Sequence, residues 1–392
     1  MKIIIAGYPY VRENFRKTFD YYPRTDDIHF ILPNRWKIKR GKYEYSAASR
    51  KNITKTTTLF HHSHYPVIGG LFKGLMPFLP LHLIGKRKFE IYFSATEPTL
   101  LSTLYHAFWA RFFGLKHIFF TWENVDYDKK FRGASKIVHG LIIRATVYLS
   151  DGAVCGNKKA QKILEKKFPS LRTAVIPLSG IDPIRFSPSD DSEKKILKNN
   201  LGLAGKTVFL FAGAIGYRKG LDGLIDAFAE IAKEDKDTML ILIGSGEYEN
   251  QLSEKIIATG ISENILRKSW VNHEELINFL KVSDVFVYPS LPYGGWEEQF
   301  GYSIAEASLM ELPVVSTNSG SIEEVVDDGV TGILVEPAQT QILAEAMREL
   351  KEKPEMRSSM GRNGRKQIIE KYSYKTVAKK YSRFFESICI HD

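Results

Sequence analysis

Short apolar runs alternate with longer amphipathic segments along nearly the whole chain. The runs are rich in β-branched and aromatic residues, as in TVFLFAG at 207–213 and DVFVYPS at 284–290. Several are apolar throughout, which is typical of parallel strands buried on both faces. Segments between them, such as LDGLIDAFAEIAKE at 221–234, carry apolar residues with the spacing of an amphipathic helix. This alternation predicts an α/β protein with two doubly wound parallel-sheet domains.

The predicted strands fall into two series. They are KIIIA, IHFIL, TTLFH, EIYFS, HIFFT, DGAVC and TAVIP, followed by TVFLFAG, TMLILIG, ENILRKSW, DVFVYPS, LPVVST and GILVEP. The segment between the series, 177–195, is rich in Pro, Ser and Asp, which favours a connection between domains. We therefore expect domains at 1–190 and 191–374, with a terminal amphipathic helix at 375–392 that returns to the first domain.

Size and composition agree with this picture. A chain of 392 residues is long enough for two domains, and 44% hydrophobic with 26% charged residues is ordinary for a globular protein. The cysteines, Cys155 and Cys389, are far apart, which argues against a disulfide framework and fits a reducing compartment. The first apolar run is too short for a signal peptide, and no stretch reaches the roughly 18–20 apolar residues of a membrane-spanning helix.

Charge is distributed unevenly between the two halves. Residues 1–190 contain 31 Lys and Arg against 14 Asp and Glu, a net charge of +17, and the remainder carries −7. A basic half suggests a polyanionic partner such as nucleic acid or anionic lipid, and a solvated basic surface is the alternative. The chain shows no RNP-type, helix-turn-helix or zinc-finger signature, which argues against nucleic acid.

The stretch FLFAGAIGYRKGLDGLIDAF at 209–228 has the organisation of an anion site. A strand ends at Gly213, a loop carries Arg218 and Lys219, and a helix follows. Such a unit points backbone N–H groups and a helix N-terminus at an anion, and the two bases add fixed positive charge. Phosphate or diphosphate is the expected ligand. A surface turn with two solvated bases is the alternative.

The stretch EEQFGYSIAEA at 297–307 follows another predicted strand. Gly301 allows close approach of a ligand to the backbone, and a helix is expected to start near Phe300 or Gly301. Glu298 before that start and Glu306 on the helix can each accept hydrogen bonds from neighbouring hydroxyls. Hydroxyl pairs beside a diphosphate indicate a sugar nucleotide. A capping acid and an exposed glutamate are the alternative for the two residues taken singly.

Here the chain resembles family 4 of the glycosyltransferases. EEQFGYSIAEA is similar to the E-x7-E signature of these retaining enzymes, and YRKGLDGLIDAF resembles their phosphate-binding lysine loop. VIPLSGIDPIRFSP, LILIGSGEY, SDVFVYPS and ELPVVSTNSGSIEEVVDDGVTGILVEP resemble further segments of the family in the same order. The resemblance covers about 174–375, whereas the first half matches only in its strand pattern. It implies the GT-B fold, in which two Rossmann-like domains face each other across a cleft.

The resemblance also implies roles for individual residues. Glu298 would contact the donor sugar and Glu306 the ribose, while the backbone at Phe300 and Gly301 would bind the distal phosphate. Arg218 and Lys219 would neutralise the departing diphosphate, which stabilises the transition state more than the ground state. The expected catalytic residues are Glu298, Arg218 and Lys219, and the expected donor-binding residues are Gly213, Arg218, Lys219, Phe300, Gly301 and Glu306. With fixed bases in place, we expect no metal and no cofactor beyond a nucleotide-sugar donor, a UDP- or GDP-sugar.

The sequence departs from the family pattern at two loops. Ala214 stands where many members carry an arginine, so Arg218 must serve alone beside Lys219. Many members also end a strand of the first half with a histidine, where this chain has Trp122, Glu123 and Asn124. We expect Glu123 and Asn124 to contact the acceptor or the sugar. The first loop, AGYPYVREN, also lacks the usual double glycine.

Two short motifs raise the question of a metal. VDYD contains Asp126 and Asp128 in a D-x-D pattern, which binds metal in the other common glycosyltransferase fold, GT-A. Two lysines follow at once, and a lone D-x-D is frequent by chance. HHSH contains His61, His62 and His64 with no acid or cysteine nearby. A metal site is therefore not expected at either motif.

The segment YPVIGGLFKGLMPFLPLHLIGKRK at 65–88 is apolar with basic flanks. Pro77 and Pro80 interrupt any long helix, and the segment is too short to span a bilayer. We expect it to lie in the membrane interface, with Phe72, Leu75, Met76, Phe78 and Leu79 in the apolar layer and Lys73, Lys86, Arg87 and Lys88 at the headgroups. A packed loop over the first sheet is the alternative.

These observations predict a retaining, nucleotide-sugar-dependent hexosyltransferase. The expected acceptor is a lipid-linked glycan or lipid, in cell-envelope polysaccharide or glycolipid biosynthesis. The protein is expected to be cytoplasmic and peripheral on the anionic inner face of the cell membrane, with no nucleic-acid partner. The alternatives are a soluble sugar or metabolite acceptor, a GT-B-fold epimerase or phosphorylase, and a nucleic-acid-binding protein.

Overall fold

The computed structural model describes residues 1–38, 41–43, 51–61, 68–86 and 88–390. The chain forms two compact units, each with one parallel sheet. Unit 1 comprises residues 1–180 and 374–392, and unit 2 comprises residues 181–373. The chain thus enters unit 2 ten residues before the expected boundary, inside the segment rich in Pro, Ser and Asp.

Unit 1 is built on a parallel sheet with a reversal of strand order near its middle. Its strands are β1 (Ile3–Ala6), β2 (Ile28–Pro33), β3 (Trp36–Ile38), β4 (Gly41–Tyr43), β5 (Ile53–Thr56), β6 (Ile91–Ser94), β7 (Lys116–Thr121), β8 (Gly152–Cys155) and β9 (Thr173–Val175). The parallel sheet has the order β5-β2-β1-β6-β7-β8-β9. From β1 and β6 the chain winds outwards in opposite directions, so a ligand crevice is expected at the carboxyl ends of these two strands.

Two features of unit 1 differ from the sequence prediction. The edge strand β5 precedes the predicted run TTLFH at 57–61, in which Leu59 forms only an isolated antiparallel bridge with Leu75. Phe60 has a φ of 56°, which is outside the extended region. In addition, β3 and β4 pair with each other in antiparallel orientation, with Trp36 opposite Tyr43. The three-residue strands β3 and β4 fall outside every predicted run.

Unit 2 follows the same plan, and each predicted run of the second half contains one strand. The strands are β10 (Thr207–Ala212), β11 (Thr238–Ile243), β12 (Ile265–Lys268), β13 (Val285–Tyr288), β14 (Val314–Thr317) and β15 (Gly332–Val335). They form a parallel sheet in the order β12-β11-β10-β13-β14-β15. The strand order reverses between β10 and β13, so the loops after these two strands line the expected crevice.

Helices cover the sheets of both units. They are α1 (Glu13–Arg16), α2 (Ile68–Leu71), α3 (Leu79–Leu83), α4 (Leu101–Phe112), α5 (Tyr127–Lys130), α6 (Gly133–Tyr148), α7 (Lys158–Lys167), α8 (Asp191–Asn200), α9 (Leu221–Glu234), α10 (Glu249–Thr259), α11 (His273–Val282), α12 (Tyr302–Leu309), α13 (Thr340–Glu352), α14 (Pro354–Tyr372) and α15 (Tyr374–Cys389). Among the described residues, none of these helices combines the length and the apolar character needed to cross a bilayer.

The terminal helix α15 completes the core of unit 1. Its Val377, Tyr381 and Phe385 are fully buried in the same cluster as Ile5 and Phe93. The rings of Tyr381 and Phe93 lie 5.6 Å apart. Burial of Val377 and Phe385 contributes about 1.5–3 kcal/mol each. Helix α15 is therefore part of unit 1, although all of unit 2 precedes it in the chain.

Three helices of unit 1 expose large apolar side chains. Helix α4 packs against both α3 and α6. The exposed side chains are Leu81 in α3, Phe108 and Phe112 in α4, and Ile137, Val138 and Leu141 in α6, with Phe78 and Ile84 on either side of α3. We refer to these residues as the apolar face. Exposed apolar patches of this kind mark contacts with a partner or a membrane more often than isolated exposed residues do.

Candidate functional site

The loop after β10 holds the predicted phosphate-binding bases. Arg218 and Lys219 lie in a 3-10 turn directly before α9. Gly220 ends the turn with a φ of 65° and is the N-terminal cap of α9. A Cβ at Gly220 would lie 2.0 Å from the carbonyl oxygen of Pro289, so only glycine permits this approach. The loops after β10 and β13 are therefore in direct contact.

Lys219 and Glu298 form a buried ion pair at this contact. Nζ of Lys219 lies 2.5 Å from Oε2 of Glu298 and also donates to the hydroxyl of Tyr288. Lys219 is 4% exposed and Glu298 is 8% exposed. Burial lowers the pKa of Lys219, and the negative charge of Glu298 opposes that effect. Removal of either partner would leave the other charge buried without this opposite charge beside it.

Arg218 lies beside this pair with one donor unused. Its guanidinium carbon is 3.7 Å from the ring centroid of Trp296. Nη1 of Arg218 is buried and has no hydrogen-bond partner among the residues that the structure describes. A planar guanidinium with a free donor, next to an ammonium group, is suited to bind phosphate oxygens.

Helix α12 starts where the sequence predicts, close to the ion pair along the chain. Gly301 caps the helix with a φ of 78°, and the helix begins at Tyr302. The first N–H groups of a helix have no intrahelical acceptors and favour an anion. Phe300 is buried and its ring packs against those of Tyr302 and Tyr372. Its backbone, rather than its side chain, is therefore the part suited to bind a ligand.

Glu306 lies in the middle of α12. Its side chain keeps some access to solvent, yet its carboxyl is largely enclosed by protein. Burial raises the pKa of Glu306 to about 7, and the charge of Arg185 opposes this rise. A carboxyl group poised near neutral pH can change its charge when a hydrogen-bonding ligand binds.

The remaining predicted donor residue, Gly213, lies at the end of β10. Its N–H group donates to the carbonyl oxygen of Ile243, and a Cβ at this position would meet the ring of Tyr288 at 3.3 Å. The following residue, Ala214, is exposed. Gly213 therefore follows β10 directly, and Arg218 and Lys219 come later in the same loop between β10 and α9.

In unit 1, a carboxyl group that the sequence reasoning missed follows the switch-point strand β6. Glu97 accepts hydrogen bonds from the hydroxyl of Thr121 at 2.7 Å and from the N–H group of Trp122 at 2.8 Å. Burial raises the pKa of Glu97 to about 7, and the charge of Glu123 adds to the rise. The available signal was its position, three residues after a buried strand at the edge where α/β sheets bind ligands.

The predicted acceptor-side residues Glu123 and Asn124 follow β7 and are both buried. Glu123 forms an ion pair with Lys130. Nearby, the amide of Asn157 donates to the carbonyl oxygen of Trp122 and caps α7. This edge of unit 1 therefore carries carboxylate and amide groups.

The two carboxylates of the D-x-D motif are engaged by a helix cap and by lysine side chains. Asp126 caps α5 by accepting from the N–H group of Asp128. Lys167 lies 3.2 Å from Asp126 and 2.5 Å from Asp128, and Lys136 lies 3.2 Å from Asp128. In the described part of the chain, no three acids, histidines or cysteines come together as a metal site would require.

Three of the predicted residues, His62, His64 and Arg87, lie outside the described residues. The remaining histidine of the HHSH motif, His61, has its ring 5.1 Å from the ring of Trp36.

The segment 65–88 is partly a packed element rather than an interfacial one. The prediction that Met76 and Leu79 enter an apolar membrane layer is wrong, because both are fully buried beneath the sheet of unit 1. Phe78 is half exposed and belongs to the apolar face. Phe72 packs against Phe60, Leu75 pairs with Leu59, Lys73 lies over the ring of Tyr8, and Lys86 lies over the ring of Phe89.

A family model of known proteins matches most of the second half of the chain. Residues 193–367 match the family model described as glycosyl transferases group 1. The match covers less than half of the 392-residue chain, and we refer to the matched residues as the group 1 domain. This group 1 domain coincides with most of unit 2 and contains Arg218, Lys219, Glu298 and Glu306.

Curated relatives match over a similar extent. The chain is 30% identical over 212 residues to the GDP-mannose-dependent monoacylated alpha-(1-6)-phosphatidylinositol monomannoside mannosyltransferase of Corynebacterium glutamicum, covering 53% of this chain and 55% of that protein. It is 25% identical over 224 residues to the alpha-D-kanosaminyltransferase of Streptomyces kanamyceticus, covering 55% and 57%. The chain therefore spans about half the length of the curated relatives it matches.

Solved structures match the whole chain in fold. HepE of Anabaena in complex with UDP has a TM-score of 0.77 at 18% identity, covering 99% of this chain and 100% of that one. WaaG, a glycosyltransferase involved in lipopolysaccharide biosynthesis, has a TM-score of 0.67 at 16% identity, covering 97% and 98%. The predicted fold class is confirmed: the protein has the GT-B fold of two parallel-sheet α/β domains. Assignment to family 4 in particular stays a prediction.

Proposed function

We propose that the protein is a retaining glycosyltransferase that moves a hexose-type sugar from a nucleotide-sugar donor to an acceptor hydroxyl. One observation carries this proposal: the buried pair of Lys219 and Glu298 lies beside the free Nη1 of Arg218, at the switch point of a group 1 domain. Open α/β sheets bind their ligands at this position.

The donor-binding roles follow from the local chemistry. Arg218, Lys219 and the N-terminus of α12 supply positive charge and N–H donors for a diphosphate. Glu298 is placed between the bases and α12, where its carboxylate can accept hydrogen bonds from the donor sugar. Glu306 is proposed to accept hydrogen bonds from the ribose hydroxyls.

Catalysis is proposed to rest on charge stabilisation. When the bond between the sugar and the diphosphate breaks, negative charge grows on the departing phosphate oxygens. Preorganised cations in a buried site stabilise that charge more strongly than water does. Lys219, held in place by Glu298 and Tyr288, needs little rearrangement to fulfil this role. We propose that these residues provide the required positive charge without a metal or additional cofactor.

The donor is proposed to be a UDP- or GDP-sugar. A relative is named as GDP-mannose-dependent, and the structure of HepE contains UDP. GDP and UDP differ in their base. The proposed contacts to the diphosphate would be the same for both nucleotides.

The proposed acceptor is a lipid or lipid-linked glycan, and a soluble sugar is the alternative. The Corynebacterium relative is named for a phosphatidylinositol monomannoside. In this chain, the apolar face of unit 1 supports the lipid proposal. Helices α3, α4 and α6 contain no Asp or Glu, whereas Arg111, Lys136 and Arg144 lie on α4 and α6. Apolar side chains with basic neighbours suit the surface of an anionic bilayer.

We therefore place the protein on the inner face of the cell membrane, with the apolar face in contact with lipid. Sedimentation with phosphatidylcholine vesicles, with and without phosphatidylglycerol, tests this. Replacement of Phe108 and Phe112 by serine should weaken binding to the anionic vesicles about tenfold, because two large rings no longer enter the apolar layer. Ile257→Ser, at an exposed apolar position in unit 2, is the control. Equal binding of all three proteins would refute the placement.

The catalytic proposal is tested with a panel of UDP, GDP, ADP and CMP and their sugars. A nucleotide that binds only the folded protein raises its melting temperature. Glu298→Ala should abolish sugar transfer from the donor found in this way while nucleotide binding survives in part. Full transfer by Glu298→Ala, or a wild-type protein that no nucleotide stabilises, would contradict the proposal.

A further inference from the structure

A tight hairpin at Tyr293–Trp296 lies beside the proposed diphosphate site. The N–H group of Tyr293 donates to the carbonyl oxygen of Trp296 at 2.9 Å, and the reverse bond measures 3.0 Å. Gly294 and Gly295 between them have φ values of 59° and 72°. Two successive residues with positive φ are what a type I′ turn requires. The glycines thus fix the shape of the hairpin and the direction of its last residue.

That last residue, Trp296, lies against both bases of the site. Its ring centroid is 3.7 Å from the guanidinium carbon of Arg218 and 5.2 Å from Nζ of Lys219. A cation is attracted to the face of an indole, most strongly when both are shielded from water. A guanidinium that stacks by its face keeps the N–H groups on its edge available to a phosphate.

The backbone of the same loop holds Arg218 from a second direction. The carbonyl oxygen of Arg218 accepts hydrogen bonds from the N–H group of Leu291 at 2.8 Å and from the hydroxyl of Ser290 at 3.2 Å. In addition, the ring of Tyr293 lies 4.9 Å from that of Tyr217. Main chain and side chain of Arg218 are therefore both fixed by the loop that follows β13.

We propose that Trp296 is a positioning residue for Arg218. By stacking on the guanidinium, it orients the free Nη1 edge towards the distal phosphate of a nucleoside diphosphate. The hairpin thereby sets the preference of the site for diphosphates over monophosphates. This inference rests on the proposed function, because it requires a nucleotide in the group 1 domain. Trp296 acts through Arg218 and has no assigned contact with the donor.

Binding of UDP, UMP, GDP and GMP by calorimetry provides the test. For the base that wild type prefers, we expect Trp296→Ala to lower diphosphate affinity about fivefold to tenfold and monophosphate affinity less than twofold. Trp296→Phe keeps an aromatic face and should retain most of the preference. Because the indole acts through Arg218, the double variant of Trp296→Ala and Arg218→Ala should bind no more weakly than Arg218→Ala alone.

Two controls separate positioning from a general loss of structure. Tyr293→Ala alters the same hairpin but leaves the indole in place, so it should keep the preference for diphosphates. Trp296 should also report the ligand directly: UDP or GDP should change the tryptophan fluorescence of wild type, and Trp296→Phe should remove that change. The four other tryptophans of the chain remain in this variant.

The outcomes distinguish this inference from the function on which it rests. If Trp296→Ala keeps the diphosphate preference within twofold, or if the two substitutions act additively, the positioning role is refuted while nucleotide binding stands. If neither UDP nor GDP binds wild type, the nucleotide-dependent function fails, and the positioning role fails with it.

Discussion

The carboxyl-end edges of the two sheets differ in a way that the net charges of the two halves would not suggest. Residues 1–190 carry a net charge of +17, yet the edge of unit 1 presents Glu97, Glu123 and Asn124. The remaining residues carry −7, yet the edge of unit 2 presents Arg218 and Lys219. The net charge of a half therefore does not predict the chemistry of its sheet edge, which a few loop residues decide.

The difference also assigns different ligands to the two edges. Guanidinium, ammonium and helix N–H groups bind anions, so the edge of unit 2 suits a diphosphate. Carboxylates accept hydrogen bonds from hydroxyl groups, so the edge of unit 1 suits a sugar or another hydroxylated acceptor. If the two edges differ in this way, a substitution at one edge should leave the properties of the other edge unchanged.

The largest effect is expected for Lys219→Ala. The substitution removes the buried positive charge that Lys219 places beside Glu298, so the free energy of unfolding should fall by about 3–5 kcal/mol, as measured by denaturant unfolding. Turnover should fall about 10²–10³-fold, with a smaller loss of donor affinity, because Lys219 is proposed to act on the leaving group. The double variant with Glu298→Ala should recover part of the stability and none of the activity. If the stability losses of the two single variants add up in the double variant, the broken ion pair is not the cause of the loss.

Glu306→Gln should change the pH dependence of stability. Wild-type Glu306 has a pKa of about 7 when folded and an ordinary value of 4.5. Its favourable contribution is thus complete below pH 4.5 and is lost as the pH rises through 7, when the carboxyl ionises in an enclosed site. The variant should gain about 2 kcal/mol relative to wild type between pH 5 and pH 8. The exposed Glu345→Gln is the control and should show no such trend.

The same residue connects protons to the proposed donor site. If ribose hydroxyls bind the ionised form of Glu306, nucleotide binding near pH 7 should release protons. Calorimetry in two buffers of different ionisation enthalpy measures that release, which Glu306→Gln should abolish. Glu97→Gln removes a carboxyl of similar pKa from the other edge and should leave the release unchanged. An equal loss in both variants would contradict the assignment of the proton release to Glu306.

Glu97→Ala should have a moderate effect confined to unit 1. The N–H group of Trp122 and the hydroxyl of Thr121 lose their acceptor, so unfolding free energy should fall by about 1–2 kcal/mol. Glu97→Gln keeps one acceptor oxygen and should cost less. Nucleotide affinity should be unchanged in both variants, and a loss comparable to that of Arg218→Ala would contradict the separation of the edges.

The smallest effect is expected on treatment with a chelator. Asp126 and Asp128 are paired with Lys136 and Lys167, so they are not arranged to hold a divalent ion. EDTA, or added Mn²⁺ or Mg²⁺, should change neither the melting temperature nor the rate of sugar transfer. A rate that depends on the metal would assign part of the leaving-group charge to an ion rather than to Arg218 and Lys219.

The sequence predicts unit 2 better than unit 1, and the reasons are physical. Strands such as β10 and β11 are apolar throughout because both faces are buried, and helix α9 shows its period clearly, so pattern and structure agree. The start of α12 can be predicted from Gly301, because only a residue that tolerates a positive φ fits at this cap. Position relative to these elements then leads directly to Arg218, Lys219, Glu298 and Glu306.

Contacts between distant loops could not be predicted in this way. Glu97 owes its raised pKa to burial and to the charge of Glu123, which lies in the loop after another strand. The proposed positioning role of Trp296 depends on the hairpin, which places its ring against the guanidinium of Arg218. Met76 and Leu79 look interfacial in sequence, and only the fold shows that the sheet of unit 1 covers them. Periodicity identifies elements, whereas such pairings depend on the packing of the folded chain.

The place of α15 in the core of unit 1 has a consequence for biosynthesis. A chain leaves the ribosome from its N-terminus, and domains generally fold as units. Unit 2 is complete once residue 373 has emerged, whereas the cluster around Ile5 and Phe93 must wait for Tyr381 and Phe385. The second unit is thus the first that can finish folding. Because the N–H group of Ile181 bonds to the carbonyl oxygen of Tyr372, the two ends of that unit meet, and its fold does not depend on the residues of α15.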